Sequence, residues 1–132
     1  TVDVTVELTR RVGKTPILVK DAPGFVAARL GLVQFLEASK IVDEGIASVA
    51  DVDAAMKLGF GHPMGPFALS DLIGLDVRLD ILRSIHEATG DPAWKPPSLL
   101  NQLVNAGYVG DPKIKKGSRG GYYDYFNLSR TG

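Results

Sequence analysis

Apolar residues recur at helical spacing over most of this chain, and at alternating spacing almost nowhere. Val2, Val6 and Val12 fall near one helical face, with Asp3, Glu7, Arg10 and Arg11 elsewhere, which predicts a short amphipathic helix ended by Gly13. Pro16-Ile17-Leu18-Val19-Lys20 is short, apolar and partly β-branched and reads as one strand. Asp21-Ala22-Pro23-Gly24 is a turn and helix entry. A long helix follows from Phe25 to Glu44, closed by Gly45. Its first half is apolar almost all round (Phe25, Val26, Leu30, Leu32, Val33, Phe35, Leu36), the pattern of a helix central to the core or covered by another subunit.

Ser48 to Asp51 resembles a capping box and opens a helix over about 49–58 that ends at Gly59. Phe60 to Phe67, rich in Gly and Pro, is expected to be loop. Helix resumes near Ala68, jogs at Gly74 and runs from Leu75 to Ala88 with Leu75, Leu79, Leu82 and Ile85 as its apolar stripe. Asp80 with Arg83, and Arg83 with Glu87, stand at ion-pair spacing on its wet face. After a proline-rich loop holding Trp94, Ser98 is expected to cap a helix over Leu99 to Ala106, ended by Gly107. The tail carries Lys113, Lys115, Lys116 and Arg119, then Gly120-Gly121-Tyr122-Tyr123-Asp124-Tyr125-Phe126. The prediction is an all-α domain with one strand near its start that has no sheet to join. A lone strand leaves its backbone groups unpaired.

The 132 residues suit one domain with a real core. Lys plus Arg equals Asp plus Glu at 15 each, so nothing electrostatic draws the chain to nucleic acid or an anionic membrane, and neither is expected as a partner. The apolar run from Gly24 to Leu36 is too short to span a bilayer. The absence of cysteine excludes disulfides, thiolate metal sites and a cysteine nucleophile, and is compatible with a reducing compartment.

Candidate chemistry is sparse. His62 and His86 share no metal-ligand spacing with other residues, and no metal site is expected. No serine stands in a Gly-x-Ser-x-Gly setting. Gly59-Phe60-Gly61 begins a dinucleotide fingerprint, but Met64 holds the third glycine's place and no strand comes before it. The Lys113–Arg119 cluster reads as a solvated basic loop. No catalytic constellation emerges.

Two stretches carry a resemblance. Val19-Lys20-Asp21-Ala22-Pro23-Gly24-Phe25-Val26 with Arg29-Leu30 is one. The other runs from Gly59 through His62-Pro63-Met64-Gly65-Pro66-Phe67 and Ser70-Asp71-Leu72-Ile73-Gly74-Leu75-Asp76. In this order they resemble the C-terminal domain of 3-hydroxyacyl-CoA dehydrogenases, including the 3-hydroxybutyryl-CoA dehydrogenases, and the Gly120–Tyr125 tail is similar to that family's closing Gly-Phe-Tyr-Asp-Tyr.

The resemblance implies an all-α domain like the C-terminal domain of 6-phosphogluconate dehydrogenase, over residues 21–132. Residues 1–20 would be the last helix and strand of a preceding NAD-binding domain. It implies a parent that moves a hydride between NAD and the C3 of an acyl-CoA in fatty acid or butanoate metabolism, as a cytoplasmic homodimer. NAD and the catalytic pair would belong to the other domain, leaving this chain alone inactive, with no catalytic residue and no cofactor of its own. The substrate-binding positions carried over are Phe25, Ala28, Pro63, Met64, Gly65, Pro66 and Phe67. Met64 and Phe67 would provide apolar walls and Gly65 close backbone approach, although the same loop also reads as a rigid helix connector.

One departure stands out: the family's Gly-Phe-x-x-Asn-Arg has Ala28 where the substrate-positioning Asn belongs. Loss of such a donor costs roughly two to three orders of magnitude in rate. A non-catalytic association module, or a related dehydrogenase for a non-CoA hydroxy acid, are the alternative readings.

Overall fold

The computed structural model describes residues 1–130, and the described residues form helices α1 (Val2–Arg11), α2 (Ala27–Asp43), α3 (Val49–Phe60), α4 (Pro66–Ile73), α5 (Leu75–Thr89), α6 (Ser98–Asn105) and α7 (Tyr122–Tyr125), with a 3₁₀ turn at Pro92–Trp94. The all-α expectation holds.

The expected strand does not form. Pro16 to Lys20 is irregular, and Ile17 is 77% exposed. No second strand among the described residues offers it a ladder, and β propensity alone cannot satisfy a backbone. The segment lies instead along α1, where Thr5, Val6, Thr9, Pro16, Ile17 and Leu18 line one shallow groove. α1 itself buries none of its residues.

Element ends shift for identifiable reasons. Gly24 and Phe25 both have left-handed backbone (φ 80° and 49°), so α2 starts at Ala27 rather than Phe25. Helix α3 passes through Gly59 and stops at Gly61, whose left-handed φ of 67° closes the C-terminus with its N–H on the Met56 carbonyl. Gly59 makes no such turn. Helix α4 starts at Pro66, because proline at a first position lacks only an N–H that has no helical partner. Ser98 is already inside α6 and caps nothing with its side chain. Ser48 does cap α3, accepting from Asp51 N–H at 3.1 Å. On α5 the predicted apolar stripe is buried, but Arg83 donates to Asn101 on α6 at 2.9 Å instead of pairing with Asp80 or Glu87.

Helix α4 is the hub and packs against α2, α3, α5 and α7. At the centre three rings meet: Phe35 of α2, Phe67 of α4 and Tyr122 of α7, with centroids 6.0, 5.9 and 4.9 Å apart. Leu32, Leu75, Leu79, Leu82, Ile85 and Leu100 surround them. Burial of such side chains contributes about 1.5–3 kcal/mol each, with edge-to-face ring contacts adding to it. The outward side of early α2 and of the residues leading into it stays bare: Phe25, Val26, Leu30 and Val33 are exposed.

Gly65 sets how closely α3 and α4 approach, since a Cβ there would run into the backbone and carboxylate of Asp53. Gly65→Ala is expected to lower stability by about 1–3 kcal/mol through overpacking against a main chain that cannot rotate away. Thermal unfolding measures it, and an unchanged midpoint would mean that α3 and α4 are not held at this spacing.

Candidate functional site

Two buried carboxylates organise the side of the domain that carries the second motif. Asp53, inside α3, accepts hydrogen bonds from Phe67 N–H at 2.9 Å and Ala68 N–H at 2.8 Å, donors in the first turn of α4 that have no partner within that helix. It also accepts from the Tyr123 hydroxyl at 2.6 Å. Asp71, near the end of α4, does the same for α7, accepting from Tyr122 N–H at 2.7 Å and Tyr123 N–H at 3.2 Å. Each carboxylate thus caps a helix far from it in sequence and meets the positive end of that helix dipole.

Arg130 completes the network. It donates to Asp71 at 3.0 Å and to both Asp124 oxygens, lies 3.7 Å from Asp111, and stacks over the Tyr123 ring with 5.9 Å to its centroid. Burial pushes the Asp71 carboxyl above its ordinary value, against hydrogen bonds from Tyr122, Tyr123 and Arg130 that pull it down. Asp124 is held below its ordinary value by the Arg130 hydrogen bond. Tyr123 is raised by burial and then by the hydroxyl's bond to Asp53, so it stays a donor.

Above this network lies a cleft of about 250 Å³. Pro63, Met64, Ala68, Leu72 and Ile114 give it apolar walls, and Asp53, Lys57, Asp71, Asp111, Tyr123 and Arg130 its polar margin. Of the carried-over positions, Pro63, Met64 and Gly65 line it. Pro66 and Phe67 do not. Pro66 is buried as the first residue of α4, and Phe67 is 1% exposed in the core, so its ring faces other rings rather than a cleft. Phe25, exposed, and Ala28, half-buried, sit at the start of α2, outside this lining. The cleft and the α2 entry are therefore two places.

Sequence reasoning did not single out Asp53 or Arg130, and it met Asp71 and Tyr123 only as parts of motifs. The partners of Asp53 and Asp71 are 14 to 70 residues away, so no local spacing announces them. The one available signal was an Asp in mid-helix, where it has low intrinsic propensity.

Gly59-Phe60-Gly61 does not suit a dinucleotide. It sits at the C-terminus of α3, where free carbonyls face outward, whereas a pyrophosphate needs the N–H groups of a helix start. NAD has no cradle in this motif. In the basic loop, Lys115 pairs with Asp76, while Arg119 donates to the Ala106 carbonyl at 3.1 Å and stacks on Tyr108. Half of that cluster is thus engaged within the fold. Among the described residues, no group of three or more His, Asp or Glu converges as a metal site, and no helix is long and apolar enough to cross a membrane.

The helical domain built on this hub helix is of the dehydrogenase C-terminal type. The chain belongs to the family of 3-hydroxyacyl-CoA dehydrogenase C-terminal domains, which matches residues 24–125. It is 46% identical to a probable 3-hydroxybutyryl-CoA dehydrogenase of Bacillus subtilis over 118 residues, 89% of this chain and 39% of that protein. It is 41% identical to a 3-hydroxybutyryl-CoA dehydrogenase of Clostridioides difficile, over 95% of this chain and 43% of that protein. The crystal structure of a 3-hydroxybutyryl-CoA dehydrogenase from Escherichia coli K12 superposes with a TM-score of 0.84 at 32% identity, over 99% of this chain and 27% of that one. The chain thus spans about two-fifths of the length of these curated relatives.

Removing the Asp53 carboxylate (Asp53→Ala) strands two helix-start N–H groups and a buried hydroxyl, with an expected loss of about 1–3 kcal/mol or more in denaturant unfolding. Asp124 gives a pH signature. Its folded value lies below the ordinary 3.8, so its stabilisation is complete above that pH and is lost as pH falls through the lowered value. Wild type should exceed Asp124→Asn in stability at neutral pH, and the gap should close below about pH 3.8. Asp71, shifted upward, works in the opposite sense and cannot produce that closure. A gap independent of pH would separate Asp124 from the ion pair.

Proposed function

We propose that this chain is the helical domain of a larger NAD-dependent 3-hydroxyacyl-CoA dehydrogenase, which transfers a hydride between NAD and the C3 of an acyl-CoA. The family match over residues 24–125, together with relatives that are more than twice as long and named as 3-hydroxybutyryl-CoA dehydrogenases, carries the reading. In it, NAD and the reacting groups belong to sequence outside this chain, and residues 1–20 are the end of that other domain. The exposed flank of α1 and the bare Ile17 and Leu18 suit contact with such a neighbour. Phe25 and Ala28, and the Pro63 to Phe67 loop, face the acyl-CoA from two sides, with Pro66 and Phe67 acting by holding α4 in place. The outward stripe of α2 (Phe25, Val26, Leu30, Val33) forms the contact between two copies of the protein, which works in the cytoplasm.

A second reading, a non-catalytic association module, is favoured by one observation. The motif residues Gly65, Pro66 and Phe67 are buried and serve packing, and the Asn position holds Ala28.

The full-length protein is expected to oxidise NADH with acetoacetyl-CoA, while the 132-residue chain alone does not. A full-length protein that folds, binds NADH and leaves acetoacetyl-CoA and longer 3-oxoacyl-CoA esters untouched would move the assignment to the association module. Leu30→Asp, at an exposed position, should change stability by no more than about 0.5 kcal/mol. It should nevertheless turn a dimer into a monomer in sedimentation, and a dimer that survives it would place the interface elsewhere.

A further inference from the structure

Arg78 is a buried cation with nothing to neutralise it among the described residues. It is 4% exposed, on the core side of α5. Its Nε is sealed from solvent without a hydrogen-bond partner, and no Asp or Glu among the described residues pairs with it. Asp76, two residues away, is taken by Lys115. The single ring under the guanidinium is Phe35 of α2, 5.8 Å from Cζ to centroid. Arg130, by contrast, has carboxylate oxygens from Asp71, Asp124 and Asp111 around it. Burial holds the Arg78 guanidinium below its ordinary pKa, the sign of an uncompensated charge. A cation in such a place is costly unless an anion meets it.

The guanidinium is aimed at a place where α2 has no side chain. Its Nη1 lies 3.7 Å from where a Cβ of Gly31 would be. Gly31 is half-buried, and three residues before it, on the same face, stands half-buried Ala28. Positions three apart on a helix are about 5–6 Å from each other. Between Ala28 and Gly31 this face of α2 therefore carries no bulky side chain of its own, and the Arg78 guanidinium borders it at Gly31.

We propose that Arg78 receives a carboxylate at the far end of the acyl chain, so that the enzyme prefers 3-hydroxyacyl-CoA substrates whose acyl group ends in a carboxylate. The proposal rests on the dehydrogenase reading above and adds the class of acyl group. The reacting carbon lies beside Ala28, and a short chain carried one helical turn along α2 over Gly31 brings its terminal oxygens to Nη1. The planar fork of Arg then holds the carboxylate through paired N–H donors, which Lys does not match. In the free protein the same site is an unpaired charge, so methylated chains gain nothing from it.

The test is steady-state kinetics of the full-length enzyme with NAD and two substrates of equal chain length: 3-hydroxyhexanoyl-CoA, ending in methyl, and 3-hydroxyhexanedioyl-CoA, ending in carboxylate. The wild type should favour the carboxylated substrate in kcat/KM. Arg78→Met should lower kcat/KM for that substrate roughly 10- to 100-fold, mainly through KM, and leave the methyl-ended one within about threefold, as expected for one charge-assisted contact. Arg78→Lys should fall between. Gly31→Val, which covers the guanidinium while leaving its charge in place, should also penalise the carboxylated substrate more and guards against misfolding of the Arg78 variants.

Preference for the methyl-ended substrate with no selective effect of Arg78→Met overturns the proposal and leaves the dehydrogenase standing. An equal KM rise for both substrates places the anion on the coenzyme A part they share, which also overturns it. If neither substrate turns over in a folded enzyme that binds NAD, the dehydrogenase reading fails and the proposal with it.

Discussion

A carboxylate buried against the start of someone else's helix holds this domain together. The first N–H groups of α4 and α7 have no partners within their own helices, and neither helix begins at a surface where water would serve. Asp53 reaches from α3 to α4, and Asp71 reaches from α4 to α7. Each bond crosses between elements, so the two caps fix helix ends and at the same time fix which helices are neighbours. The Tyr123 hydroxyl on Asp53 ties α7 back to α3 and closes the loop. With that frame set, Phe35, Phe67 and Tyr122 are brought face to edge at the centre.

The frame also explains why so much of the second motif is unsuited to touching a ligand. Gly65 is there because α4 starts against the main chain of Asp53. Pro66 opens the helix and Phe67 fills the core. Gly121 has the same relation to Asp71 as Gly65 has to Asp53: a Cβ would strike the carboxylate it caps with. A Pro-Met-Gly-Pro-Phe run therefore presents Pro63, Met64 and Gly65 to the cleft, while Pro66 and Phe67 serve position. That division suits a domain that shapes a substrate wall while the reacting groups come from elsewhere.

Two arginines, one buried and one at the surface, have opposite surroundings. Arg130 sits among three carboxylates and a tyrosine ring, and its charge is fully used by the fold. Arg78 has an aromatic ring beneath it and a glycine beside it, with no carboxylate partner among the described residues. Packing demands explain the first and not the second, because an apolar side chain of similar size would fill the place of Arg78 at lower cost. That asymmetry separates a charge that stabilises from a charge kept for something outside the chain.

The sequence by itself determined the all-helical class, the stripe of α5, the jog at Gly74 and the membership carried by two Gly/Pro motifs, because helical periodicity and left-handed glycine are local properties of the backbone. Locality failed at Pro16 to Lys20, where a β-branched run had no neighbouring strand, and at Gly59, where the helix continued two residues to a better-placed glycine. Only the tertiary structure decided that Asp53 and Asp71 are caps, that Phe67 faces the core and Met64 the cleft, and that Arg78 lies beside Gly31 with no counter-charge among the described residues. These depend on contacts between residues up to 70 positions apart, and a carboxylate or a guanidinium carries no mark in the sequence of which distant group will meet it.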